Sequence, residues 1–191
     1  MNILALILSY LTGSISFALI VGKMFYKKDI RKYGSGNLGA TNAYRVLGIK
    51  AGLIVAIADI GKGTFACFLP LILSSTINPI ICGLLAILGH IFSIFARFKG
   101  GKAVATATGV FLYLSPLAVL VGFVVFVITL TFSKYVSLSS MLAGIALFIY
   151  SLIFEDKIIL LLSLLISVTI IILHRQNIKR ILNGTENKIV Q

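Results

Sequence analysis

Three stretches of this 191-residue chain gather polar groups of the kinds that bind anions and move protons. The first is Gly34-Ser35-Gly36-Asn37-Leu38-Gly39-Ala40-Thr41-Asn42, followed by Arg45. Three glycines close together let backbone amides approach a ligand. Ser35, Asn37, Thr41 and Asn42 add neutral hydrogen-bonding groups, and Arg45 adds a planar cation suited to bidentate phosphate contact. Such a composition fits an anion-binding loop running into a helix amino terminus. A flexible loop beside the membrane is the plainer alternative. The stretch also spells G-x-G-x-x-G, but basic residues precede it where a buried strand is needed, and Asp59 falls inside an apolar run. Those two facts argue against a dinucleotide fold.

The second stretch is His90, Ser93 and then Phe98-Lys99-Gly100-Gly101-Lys102-Ala103-Val104-Ala105-Thr106. Two lysines flank paired glycines where an apolar run ends. Ala103 stands where a P-loop requires Ser or Thr, and the upstream glycine is missing, which disfavours a nucleotide hydrolase and leaves phosphate binding open. A basic stop signal is the alternative, and His90 reads as a packed histidine. The third stretch is His174-Arg175-Gln176-Asn177-Ile178-Lys179-Arg180, followed by Gly184, Glu186 and Asn187. His174 and Asn177 are spaced to share a helix face. An amphipathic basic tail lying on the membrane is the other reading.

Asp59 and Lys62 stand apart from these stretches, in an apolar run. A charge at mid-span costs about 2.5–3.5 kcal/mol on insertion scales, and their i, i+3 spacing lets the two pair. They form either a structural ion pair or part of the lining of the same polar pocket.

The elements that must carry these groups follow from composition. The chain is 59% hydrophobic and 12% charged, with net charge +12. A soluble domain is nearer a quarter charged. The balance excludes a soluble globular enzyme, a disordered chain and a typical nucleic-acid-binding domain, so no nucleic-acid partner is expected. An all-α polytopic membrane protein remains, in which Cys67 and Cys82 are small buried residues. Apolar runs cover Asn2–Gly22, read as a retained first helix, then about Ala51–Ser74, Ile80–Ala96, Ala103–Ser133, Val136–Phe154 and Ile158–Leu173. The uncharged Ala103–Ser133 would be roughly 46 Å long as one helix, against a hydrocarbon core of about 30 Å. Ser115-Pro116 lies near its middle and breaks backbone pairing. The run is one kinked span or two short ones. Splitting it gives about seven transmembrane helices with the amino terminus outside and the carboxyl terminus cytoplasmic. Lys23 to Lys50, Arg97–Lys102, Lys134 and the tail then all face the cytoplasm, as the positive-inside rule favours. Five true spans with re-entrant or interfacial pieces is the second choice.

The residues then become specific. Ser35-Gly36-Asn37-Leu38-Gly39-Ala40-Thr41-Asn42 with Arg45 forms one segment. Gly89-His90 through Phe98-Lys99-Gly100-Gly101-Lys102-Ala103-Val104-Ala105-Thr106 forms a second, and His174-Arg175 with Asn177 and Gly184-Thr185-Glu186 a third. In order and spacing they resemble the three signature segments of the bacterial acyl-phosphate-dependent glycerol-3-phosphate acyltransferases. The resemblance covers essentially the whole chain, so residues 1–191 are expected to form a single integral-membrane acyltransferase domain.

It implies transfer of a fatty acyl group from acyl phosphate to the first hydroxyl of glycerol 3-phosphate. The products would be 1-acyl-glycerol 3-phosphate and phosphate, in the first acylation of bacterial phospholipid synthesis. It also implies a multi-pass protein of the cytoplasmic (inner) membrane with its active site facing the cytoplasm. The partners are acyl phosphate, glycerol 3-phosphate and membrane lipids, with no metal and no cofactor. His174, Asn177 and Ser35 are the expected catalytic residues. Gly36, Asn37, Gly39, Thr41, Asn42, Arg45, Lys99, Gly100, Gly101, Lys102, Thr106 and Glu186 are the expected substrate- and phosphate-binding residues, with Asp59 and Lys62 as a pocket-lining pair. Two anionic substrates repel each other, so cations that hold both serve binding and catalysis together. Either His174 or a substrate phosphate oxygen takes the hydroxyl proton. Ser35 could instead be a covalent nucleophile, but no base is paired with it by sequence, and direct transfer is simpler. A small-anion transporter and a structural membrane protein are the competing classes. The first is disfavoured by polar motifs collected at one face without inverted repeats, and the second leaves three amide- and glycine-rich clusters unexplained.

Overall fold

The structure, a computed structural model, describes residues 1–189 and is all-helical among them. It comprises two compact units, Met1–Tyr113 and the remainder from Leu114. In the first unit, α1 (Asn2–Ser14) and α2 (Phe17–Phe25) are bent by 48° at Ile15-Ser16. The first apolar run, expected as one helix, is thus broken. Ser16 accepts the Leu19 amide as the amino-terminal cap of α2, a local bond that competes with a continuous helix. A short 3₁₀ turn (Ile30–Lys32) and α3 (Ala40–Leu47) frame the first glycine loop. They lead into α4 (Ile49–Ile72), α5 (Pro79–Ile91), a 3₁₀ turn (Ile94–Ala96) and α6 (Val104–Leu114).

Close helix contacts in this unit use small residues, as expected where packing rather than hydrophobic exclusion joins helices in lipid. A side chain at Gly13 of α1 would strike the Ala86 backbone of α5, and one at Gly109 of α6 would strike the Ile60 carbonyl of α4. Outside these seams, Leu53, Ile54, Ile57, Phe65, Phe68 and Leu71 of α4 are exposed. An apolar face of that extent belongs against lipid.

The second unit holds α7 (Pro116–Ser133), α8 (Val136–Phe154), α9 (Lys157–Leu173) and α10 (Arg175–Leu182). Pro116 occupies the first turn of α7, where a proline lacks nothing a helix needs. The long uncharged run is therefore two helices, ending at Leu114 and restarting at Pro116. Asp156 caps α9 by accepting the Ile158 and Ile159 amides. The Ser167 hydroxyl of α9 donates to the Gly144 carbonyl of α8 at 2.7 Å. Helices α4, α7, α8 and the stretch Pro79–Ala96 are each long and apolar enough to span a membrane. The bent pairs α1–α2 and α9–α10 bring the candidates to six. Helix α6, at 11 residues, is about 16 Å long and short of the hydrocarbon thickness.

Candidate functional site

The first glycine loop is ordered by one residue. Asn42, in the first turn of α3 and 2% exposed, accepts the Ser35 amide on its Oδ1 at 2.9 Å. Its Nδ2 donates to the Ile30 carbonyl at 3.1 Å and the Tyr33 carbonyl at 3.3 Å. Gly34 has φ +59° and lies so close to Asn42 Oδ1 that any side chain would displace the amide. Asp29 accepts the Arg31 guanidinium on both oxygens. That hydrogen bonding, against a smaller opposing effect of burial, lowers its carboxyl to about 2. The 3₁₀ turn before the loop is pinned in this way. Ser35 is exposed, while Gly36, Asn37, Gly39, Thr41 and Arg45 are half-buried, with Arg45 in the last turn of α3. Asn42 is thus the frame of the loop, and its neighbours present the groups that can meet a ligand.

The second segment folds back on α5. The Phe98 amide donates to the Ser93 carbonyl, Gly100 to Ile91 and Gly101 to His90, at 2.7, 3.0 and 3.1 Å. Turning the chain this tightly puts Arg97, Phe98 and Ala103 in the left-handed region, at φ +55°, +59° and +56°. Each such residue costs about 1–3 kcal/mol and persists only where its surroundings enforce it. Gly100 abuts the His90 carbonyl and Gly101 abuts the His90 ring, so neither position accepts a side chain as it stands. Lys99 is exposed and Lys102 half-buried. Thr106 is fully buried, and its hydroxyl is 3.0 Å from His90 Nδ1. Expected among the phosphate-binding residues, it meets the histidine away from solvent. His90 is packed, as its place at the end of an apolar run suggested.

Asp59 and Lys62 pair at 2.8 Å inside this unit. Lys62 also donates to the Ile15 carbonyl at 2.7 Å, at the bend between α1 and α2. Ser93 donates to the adjacent Ser14 carbonyl at 2.5 Å. A narrow crevice, too tight as it stands to hold a water molecule, lies here, lined by Gly13–Ser16, Leu38, Lys62, His90, Ser93, Gly100 and Gly101. Leu38 belongs to the first glycine loop and Gly100-Gly101 to the second, so the structure brings those two segments together. The Ser14 hydroxyl is fully buried on this lining without a hydrogen-bond partner among the described residues.

The third segment lies in the second unit. His174 sits at the 55° bend between α9 and α10, 4% exposed, with Nδ1 2.8 Å from the Ile170 carbonyl. A carbonyl only accepts, so Nδ1 carries the proton and Nε2 of the neutral ring carries the lone pair. Glu186 accepts Asn177 Nδ2 at 2.7 Å and Ser137 Oγ at 2.9 Å on one oxygen, and Arg180 Nε at 2.7 Å on the other. Burial raises the Glu186 carboxyl, but the hydrogen bonds from Arg180, Asn177 and Ser137 outweigh it and leave the group below its ordinary value. Glu186, expected among the substrate-binding residues, braces Asn177 through these contacts.

The sequence model of glycerol-3-phosphate acyltransferases matches residues 3–184. The chain belongs to the glycerol-3-phosphate acyltransferase family. It is 90% identical over 190 residues to a glycerol-3-phosphate acyltransferase 2 of Bacillus anthracis, covering 100% of both chains. It is 53% identical to a glycerol-3-phosphate acyltransferase of Bacillus subtilis strain 168, covering 97% of this chain and 96% of the relative. Among solved structures it is similar to PlsY (YgiH), an integral membrane glycerol 3-phosphate acyltransferase, in its glycerol 3-phosphate form. The TM-score is 0.91 at 36% identity, over 98% of this chain and 95% of the other. The lysophosphatidic acid form of the same protein gives a TM-score of 0.87. With apolar helices of spanning length, this family member is a multi-pass membrane protein.

Sequence reasoning missed the bend at Ile15-Ser16 and with it Ser14 and Ile15 as lining residues. The signal was present in Thr12-Gly13-Ser14-Ile15-Ser16, a run of small and hydroxylated residues inside an otherwise apolar stretch. Ser137 as a partner of Glu186 was also missed; the hydroxyl-rich run Ser137-Leu138-Ser139-Ser140 at the start of α8 was visible, but nothing in it points to a carboxylate so far along the chain.

Proposed function

We propose that this protein transfers a fatty acyl group from acyl phosphate to the 1-hydroxyl of glycerol 3-phosphate, giving 1-acyl-glycerol 3-phosphate and inorganic phosphate. This is the first acylation of bacterial phospholipid synthesis. The observation that carries the reading is the meeting of Leu38 of the first glycine loop with Gly100 and Gly101 of the second at one crevice of the first unit, with Arg45, Lys99 and Lys102 close to them in sequence. Family membership and the glycerol 3-phosphate and lysophosphatidic acid forms of the PlsY structure support it.

Arg45, Lys99 and Lys102 hold the phosphates and offset their repulsion, aided by Ser35, Gly36, Asn37, Gly39, Thr41 and the amides of Gly100 and Gly101. Asn42 and Glu186 act as positioning residues, the one for the first loop and the other for Asn177. The glycerol oxygen attacks the acyl carbon, the carbon–oxygen bond to phosphate breaks, and His174 Nε2 takes the hydroxyl proton. Asn177, Ser35, Asn37, Asn42 or a backbone amide donates the hydrogen bond to the oxyanion that forms. Phosphate is a good leaving group, so the step requires neither metal nor cofactor. The 191 residues work as one acyltransferase domain. The chain crosses the bacterial cytoplasmic membrane about seven times, with the short α6 as the crossing beyond the six candidates, amino terminus outside and the reaction on the cytoplasmic side. The charge asymmetry of the loops supports this orientation.

Purified protein given acyl phosphate and glycerol 3-phosphate should release phosphate and lysophosphatidate in equal amounts. Coenzyme A and acyl-carrier-protein thioesters should give no product. Product from a thioester alone would refute the donor assignment. Counterflow of glycerol 3-phosphate in sealed vesicles without acylation would favour a transporter.

A further inference from the structure

The bend in the first span is held by side chains of two other segments. The carbonyls of Ser14 and Ile15 lie where α1 ends, and carbonyls at a helix end lack intrahelical partners. Ser93 donates to the first at 2.5 Å and Lys62 to the second at 2.7 Å. Lys62 is 3% exposed in its side chain, pairs with Asp59 at 2.8 Å and lies 5.8 Å from the Phe17 ring centre. Asp59 Oδ1 is 3.7 Å from His90 Nδ1, and that nitrogen is 3.0 Å from the Thr106 hydroxyl. The His90 carbonyl accepts the Gly101 amide, and the His90 ring is the surface on which Gly101 rests. Gly101 precedes Lys102.

A simple buried ion pair would satisfy Asp59 and Lys62 without any of these further bonds. Here Lys62 reaches beyond the pair to hydrogen-bond the bend, while the Asp59 oxygen that meets Lys62 also packs 3.7 Å from the ring of the histidine that shapes the lysine loop, a contact without a hydrogen bond. We propose that the Asp59–Lys62 pair is a positioning device that sets the bend at Ile15 and the Gly100–Lys102 turn in register with each other, and thereby the phosphate-holding groups. It does so without touching substrate. Net neutrality suits this role, because the pair adds no charge to the phosphate field while anchoring both sides of the crevice. Ser93 is the second anchor of the same bend, so it shares the task.

The inference rests on the acyl-transfer reading, and its test separates the two. Asp59→Asn with Lys62→Met removes both charges at similar volume. In this variant the KM for glycerol 3-phosphate should rise about tenfold while kcat stays within about threefold, the scale of coupling carried by packed networks. Amide exchange should quicken about tenfold at residues 14–17 and 100–103 and stay unchanged elsewhere. Lys62→Arg keeps a cation and its donors, and should keep both the KM and the protection. Thr106→Val removes one hydroxyl at constant shape and serves where the double variant does not fold; it should quicken exchange at residues 100–103 and raise KM about threefold. Wild-type exchange and KM in the double variant, or in Thr106→Val where the double variant fails to fold, would overturn the proposal, as would exchange quickened throughout the protein. Wild-type protein that makes no lysophosphatidate would defeat the acyl-transfer reading alone, since the exchange measurement still tests the pair.

Discussion

Asn42 Oδ1 accepts the backbone amide of Ser35 at 2.9 Å across the first glycine loop. With its two donations to Ile30 and Tyr33, the side chain closes that loop over the start of α3. Asn42→Ala therefore leaves the Ser35 amide without its acceptor and takes one of two donors from each of the Ile30 and Tyr33 carbonyls. A loss of about 2–3 kcal/mol of stability is expected, at roughly 1 kcal/mol per bond, with a fall in kcat/KM. Asn42→Asp retains the acceptor and loses the donors, so it should fall between Ala and wild type. Thermal unfolding in detergent, beside turnover, checks the order.

Gly100 and Gly101 differ in what a methyl group would meet. At Gly100 it meets the backbone carbonyls of His90 and Ile91, which are fixed by the end of α5; at Gly101 it meets the His90 ring, a side chain that yields more readily than backbone although Thr106 holds it. Gly100→Ala should be the more damaging, with overpacking of about 1–3 kcal/mol and a higher KM for glycerol 3-phosphate. Equal KM values for the two variants would contradict the geometry.

His174 presents Nε2 as its lone-pair nitrogen because Nδ1 donates to Ile170. His174→Ala should lower kcat by about 10²–10⁴, the usual contribution of a general base, with little change in KM for either substrate. His174→Gln keeps a polar side chain but no base, and should be nearly as slow. Near-normal turnover in a folded His174→Ala would move the proton to a substrate phosphate oxygen.

Glu186 is the acid-sensitive joint of the tail. Its folded carboxyl lies below the ordinary 4.5, so it stabilises the tail fully above that value. The stabilisation fades as pH falls below 4.5 and is gone once the pH passes the lower folded value. Proteolysis or amide exchange around residues 183–187 should quicken over that acid range in wild type. In Glu186→Gln the same segment should be loose already at neutral pH, with a much weaker acid dependence.

The orientation can be read with thiol reagents. Cys67 and Cys82 are buried, so a Ser35→Cys protein offers one accessible thiol. A membrane-impermeant maleimide should label it in inverted vesicles and leave it unlabelled in intact cells. The opposite pattern would place the first glycine loop outside.

Composition and apolar run length determined the fold class and most helix positions, because a lipid-spanning segment must be long, uncharged and internally hydrogen-bonded. Pro116 was legible as a helix start for the same kind of reason: its ring blocks one backbone pairing wherever it stands. The three polar segments were legible too, since glycine, amide and lysine clusters are out of place at the ends of apolar runs. Only the tertiary structure decided which of their members meet each other. Thr106 and Glu186 look like ligand groups in a string of letters, yet Thr106 meets His90, while Glu186 meets Ser137, Asn177 and Arg180. Lys62 was readable as a partner for Asp59 by helix spacing, whereas its bond to Ile15 spans a break in another helix. Spacing along one helix follows from its fixed pitch, but a contact between distant segments depends on how closely their backbones pack. At these crossings that closeness is set by glycines such as Gly13 and Gly109.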